Sequence, residues 1–225
     1  MKYAIFVKRL TLSNEMLEEL NKTLTNDEKT LPGQLRKKDD WYVLTYLKVS
    51  KIRSYNANCW DMEEKEIDTI QAVMFKIDNN KIYIANNKSG LKEIESYFEA
   101  VALKLTGDQE VVNFNKIFSV DNIEIDLENI LKGYEDKGVI EDVRKIRVKP
   151  MEVTLGIISN CVIRTNDYGG VRKVLENDNS IFGIEISLKN PAKTLVYYDI
   201  DGQVKVTTKG ADNISEMVLQ YSSVL

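Results

Sequence analysis

Apolar residues recur along this chain at two spacings, and each spacing predicts an element. Leu91, Ile94, Phe98, Val101 and Leu105 lie three or four apart, which places them on one helical face. A helix is therefore expected over 90–105, with Ser89 placed to cap it. Leu127, Ile130, Leu131 and Tyr134 predict a second over 126–136, stopped by Gly138. Ile214, Met217, Val218 and Tyr221 predict a third, and Asn213 with Glu216 has capping-box spacing. Shorter helices are expected over 13–22 (Met16, Leu17, Leu20) and 168–176 (Val171, Val174, Leu175).

Elsewhere the period is two. Val73, Phe75 and Ile77 alternate with polar neighbours, Asn79-Asn80 supplies a turn, and Ile82 and Ile84 continue on the far side. The run 195–200 reads as a strand, Asp201-Gly202 as a type I′ turn, and Val204 with Val206 as the return strand. Further strands are expected at 2–9, 41–49, 142–149, 153–165 and 181–188. The fold class is α+β, a mainly antiparallel sheet backed by helices.

The two halves share a pattern. Residues 70–103 and 193–223 each read strand, tight turn, strand, amphipathic helix, and a strand, a short helix and a further strand precede each. A β-α-β-β-β-α unit used twice is expected, with a first half at 1–105, a linker at 106–125 and a second half at 126–225. This element order resembles the repeat of the TATA-box-binding-protein fold, whose two copies form one curved sheet backed by helices. The resemblance rests on element order, with no shared sequence motif, and implies no site residues.

Composition changes the picture mainly by exclusion. The 225 residues include no histidine, which removes Ser-His-Asp and Cys-His catalysis and histidine-ligated metals. Cys59 and Cys161 are 102 positions apart and form no CxxC pair, so a structural zinc site is not expected. There is no GxxxxGK[ST] or GxGxxG run. No apolar stretch reaches the roughly 18–20 residues of a membrane helix, and the N-terminus is too short and charged in its apolar part for a secretory signal. Two thiols without an export signal suit a reducing cytoplasm. Lysine (24) far exceeds arginine (7) and asparagine numbers 19, the bias of an AT-rich genome such as a bacterium's or its phage's.

The net charge of −4 gives no global pull toward nucleic acid or anionic lipid. Local charge is less even: residues 121–142 hold eight acids against two bases, and 144–173 seven bases against two acids. Lys145, Arg147 and Lys149 occupy alternate positions and so share a strand face, while Lys48, Lys51 and Arg53 form a smaller basic group. Arg172 and Lys173 follow the turn Asn166-Asp167-Tyr168-Gly169-Gly170 at a strand-to-helix junction, where backbone amides can hold a phosphate. These eight residues are the candidate phosphate contacts. Asp199-Ile200-Asp201 could offer carboxylates to magnesium, but turn chemistry accounts for Asp201. Glu63-Glu64-Lys65 and Glu135-Asp136-Lys137 carry the short Glu-x-Lys piece of a nuclease, in a charged loop and at a helix end. Cys59 sits among acids, which raise a thiol pKa.

Three functions follow, in order. The leading one is a non-catalytic cytoplasmic binding or adaptor protein, a subunit of a larger assembly with a protein partner, no cofactor and no metal. Next is a nucleic-acid-binding module using the basic strand faces, and third a carboxylate-based metal-dependent enzyme.

Overall fold

The computed structural model describes residues 2–27, 31–56, 61–85, 90–107, 114–148, 151–153, 156–158, 161–163, 170, 181–189, 194–208, 214–223 and 225. The chain folds as an α+β protein with a mostly antiparallel sheet and, among the described residues, four α-helices. Two compact units divide it: Leu10–Ile84 with Lys88–Val120, and Met1–Arg9 with Ala85–Asn87 and Asp121–Leu225. None of the described helices is long and apolar enough to cross a membrane.

In the unit built from Leu10–Ile84 and Lys88–Val120, the end of β1 (Lys2–Leu12) leads into α1 (Asn14–Lys22), whose first turn is capped by Ser13 accepting from the Met16 amide. The strands β2 (Leu24–Thr25), β3 (Leu35–Lys38), β4 (Trp41–Asn56), β5 (Asp61–Asp78) and β6 (Lys81–Ala85) then lie in the order β6-β5-β4-β3-β2. The helix α2 (Gly90–Thr106) and β7 (Phe118–Asp121) complete it. Phe75 joins sheet to helix: it stacks on Tyr42 at 5.2 Å and meets Phe98 of α2 edge-on at 6.1 Å, and Phe98 in turn meets Phe118 at 5.6 Å. Ile94, Phe98 and Val101 are buried as their spacing predicts, but Leu105 is exposed and Ala102 takes the fourth core position. Leu17 of α1 is likewise exposed, leaving Met16 and Leu20 as its core residues.

The other unit lies in the order β11-β8-β12-β13-β14-β1, from β8 (Ile140–Val148), β11 (Cys161–Ile163), β12 (Ile181–Leu188), β13 (Thr194–Asp199), β14 (Gln203–Thr207) and Lys2–Phe6 of β1. Among the described residues the predicted strand 153–165 is three short ones, of which β9 (Met151–Val153) and β10 (Gly156–Ile158) pair only with each other. Val143, Ile146, Ile184, Ile186, Val196 and Tyr198 are buried on one face, as are Leu127, Ile130, Leu131 and Tyr134 of α3 (Leu127–Asp136) and Val218 of α4 (Ile214–Ser222). Asp126 caps α3 by accepting from the Asn129 amide, and Gly138 ends it at φ +65. The Ser89 and Asn213 caps lie outside the described residues, as do the helix 168–176 and the turn 166–170 except for Gly170, which is helical.

Of the two tight turns, only the second differs from expectation. Asn79 and Asn80 both have positive φ, 49° and 59°, the requirement of type I′. At Asp201-Gly202 only Gly202 does, at 89°. The Asp199 carboxylate replaces the type I′ geometry by accepting from the amides of Asp201 (3.0 Å) and Gln203 (2.9 Å).

Candidate functional site

The longest elements form the first site. β4 and β5 stay in register from Tyr42↔Phe75 to Asn56↔Asp61, well past the expected strand end at residue 49. The charged stretch Glu63-Glu64-Lys65, expected in a loop, is strand. β3 pairs with β4 only over Trp41–Leu44, and β6 with β5 only over Phe75–Asp78. Among the described residues, from Leu47 and Ile70 outward the two strands pair only with each other. That run spans about 30 Å at roughly 3.4 Å per residue.

The arm carries exposed side chains on both faces. Leu47 (49%), Val49 (55%) and Ile70 (61%) open to solvent on one, Ile52 and Ile67 on the other. Six of the ten large exposed hydrophobic residues described belong to β4 and β5, so this is a concentration and not scatter. Lys51 and Arg53 of the predicted basic group lie here too, but each faces an acid across the strands: Lys51 Nζ to Glu66 Oε1 at 3.6 Å, and Arg53 Nε to Glu64 Oε1 at 2.7 Å. Lys48 projects to the opposite face, beside Thr69. These exposed ion pairs contribute about 0–1 kcal/mol each. They leave the arm's charge balanced across its width.

The second site is the polar face of the other unit's sheet. Register places Lys145, Glu185, Tyr197 and Lys205 in one row and Arg147, Gly183 and Asp199 in the next. Lys145 pairs with Glu185 at 3.0 Å. Arg147 Nη1 donates to Tyr197 Oη at 3.2 Å and its guanidinium lies 5.3 Å from the ring centre, while Lys205 Nζ lies 5.4 Å from the same ring. Gly183 makes room for this: a Cβ there would stand 2.5 Å from Tyr197 Oη. Burial, with Asp199 next in weight, pushes the Tyr197 hydroxyl up to about 12. Burial followed by the charges of Lys2 and Arg147 holds the Lys205 ammonium below its ordinary value. Lys149, Arg172 and Lys173 lie outside the described residues, as do Cys59 and the 166–169 turn.

Sequence spacing found Lys145 and Arg147 but missed Tyr197, Lys205 and Gly183. Those three come from other strands, and only register brings them together. Tyr197 is the aromatic residue that the basic strand lacked in sequence, yet it is 6% exposed, so its ring serves the cations and is closed to a nucleobase.

Behind the sheet, α3 lines an open cavity of about 630 Å³ through Asp126, Asn129, Ile130, Gly133 and Tyr134. Deeper in, Tyr198 donates to the Tyr221 carbonyl at 2.9 Å and shares a hydrogen bond with Tyr134 Oη. Since Tyr198 has one proton and donates it, Tyr134 is the donor of the second bond. Burial raises the pKa of both hydroxyls. Among the described residues no three cysteine, aspartate or glutamate side chains converge as a metal cluster would. No model of a known protein family matches the chain, and no curated protein shows significant similarity to it.

Proposed function

We propose that this chain is a non-catalytic cytoplasmic binding protein that docks a protein partner through the β4–β5 arm, as a subunit of a larger assembly. One observation carries this: five aliphatic side chains stand exposed on a two-stranded run that has no third strand beside it among the described residues. An unsupported two-stranded ribbon is marginal in water, and apolar surface concentrated on it gains by being covered. The internal duplication belongs to the same proposal, supported by the recurrence of strand, tight turn, strand and helix as β5-β6-α2 and β13-β14-α4. The test is capture of partners from native cells by the chain and by Leu47→Lys with Ile70→Lys. The docking reading expects a stoichiometric partner with the first chain and its loss with the second; equal recovery by both removes it.

A second reading has its own support. Lys2, Arg147 and Lys205 share one sheet face, and after burial it is the charges of Lys2 and Arg147 that lower the Lys205 pKa, a positive field that a phosphate backbone would relieve. It expects duplex DNA binding that weakens steeply from low to moderate salt and disappears in Arg147→Glu with Lys205→Glu. Absence of binding at low salt ends it. It stands second because Glu185 already engages Lys145 and the one aromatic ring in the cluster is covered.

A further inference from the structure

We propose that the occupant of the β4–β5 arm is a second copy of this chain, laid face to face along the ribbon. The inference rests on the docking reading above and names the partner. The pairs Leu47↔Ile70, Val49↔Asp68, Lys51↔Glu66 and Arg53↔Glu64 alternate along the register and so share one face. On that face the β4 column is apolar and then basic, and the β5 column is apolar and then acidic.

A two-fold axis parallel to the strands, lying above that face, exchanges the columns without changing height along the ribbon. Each β4 then covers the β5 of the other copy. Lys51 and Arg53 of one copy meet Glu66 and Glu64 of the second, Leu47 meets Ile70, and Val49 covers the position of Asp68 between them. The pattern is self-complementary in the sense an isologous interface requires. An unrelated partner would need an independently matched surface; a second copy has it by symmetry.

The opposite face lacks this property. There Lys48, Ser50 and Ile52 face Thr69, Ile67 and Lys65, so the same two-fold operation would set Lys48 against Thr69 and Ile52 against Lys65. A copy placed there would bring neither of these lysines onto an acid. The complementary face alone is therefore the contact. Eight side chains are fewer than the roughly 20–30 residues a side of a standard interface, so association is weak and concentration-dependent.

The experiment is sedimentation velocity of the full chain from low to high micromolar concentration, with circular dichroism confirming the fold of each variant. A reversible monomer–dimer equilibrium is expected, and Lys51→Glu with Arg53→Glu should weaken it about tenfold or more, because like charges then face each other. The decisive variant carries Lys51→Glu, Arg53→Glu, Glu64→Lys and Glu66→Lys together. It keeps opposite charges across its own ribbon, so it should fold and dimerise with itself, yet not mix with fluorescently labelled wild-type chain. A chain monomeric throughout, or a swapped variant that mixes freely with wild type, overturns the inference. If the chain is monomeric while Leu47→Lys with Ile70→Lys still loses a captured protein, the second copy is ruled out and the docking reading stands. If that variant changes neither dimerisation nor capture, both fall.

Discussion

Gly183 lies where a side chain would meet the phenol of Tyr197, and Gly202 where one would meet a carbonyl. The two glycines are thus expected to tolerate alanine differently. A Cβ at Gly183 would collide with Tyr197 Oη at 2.5 Å, the far end of a side chain that can shift; overpacking of that kind costs about 1–3 kcal/mol. A Cβ at Gly202 would stand 2.1 Å from the Val7 carbonyl oxygen, in a residue already at φ +89 whose own carbonyl accepts the Val7 amide at 2.8 Å. Backbone strain adds to overpacking there, so Gly202→Ala should cost more, about 2–4 kcal/mol. Urea denaturation of the two variants orders them. The tyrosines make a pH prediction. Burial raises the pKa of Tyr134, Tyr197, Tyr198 and Tyr221, so the folded state favours their neutral forms. That contribution is complete below the ordinary value of 10.0 and is lost as pH rises through the raised ones, Tyr197 reaching its own at about 12. Lys205, its pKa lowered, acts in the opposite sense and is relieved as pH rises. Burial raises the pKa of Tyr3, Tyr83 and Tyr97 too, so with seven tyrosines against one lysine the urea midpoint should fall between pH 10 and 12, and Tyr197→Phe should fall less steeply. A midpoint level to pH 12 would contradict the burial of these hydroxyls.

At the scale of the element, the arm should behave as surface. Leu47→Lys and Ile70→Lys replace exposed side chains, and thermal denaturation should find each within about 0.5 kcal/mol of wild type. A large loss would mean that these side chains pack against something in the folded monomer. The same element shows where sequence is legible and where it is not. Ile94, Phe98 and Val101 were readable because a buried helical face repeats every 3.6 residues, and Phe75, Ile82 and Ile84 because a half-buried strand alternates. Ile67 to Ile70 broke both rules. A ribbon exposed on both faces has no buried side to impose a period, so Glu63-Glu64-Lys65 reads as a charged loop although it is strand. Asp201-Gly202 misled for a different reason: Asp199 satisfies the turn amides with its carboxylate, which removes the need for positive φ at Asp201. Lys145 and Arg147 were readable as a strand face because they lie on one strand. Their companions Tyr197 and Lys205 lie on two others, and pairing between distant strands leaves no trace in local spacing.

For the whole molecule, the lack of histidine removes histidine-dependent catalysis, and the role proposed is recognition. Two surfaces compete for that role: an aliphatic ribbon with balanced charge and a basic sheet face with a covered tyrosine. They separate by ionic strength. Burial of Leu47, Val49 and Ile70 should hold or strengthen as salt rises, whereas phosphate contacts through Arg147 and Lys205 should weaken. The most direct measurement is photo-crosslinking in native cells, with a photoreactive residue replacing Ile70 in the arm or, as control, exposed Glu99 of α2. Position 70 is expected to yield a discrete adduct, of twice the chain's mass where the second copy is captured, and position 99 none. Equal adducts at both positions, or none at position 70, would contradict the arm as the working surface.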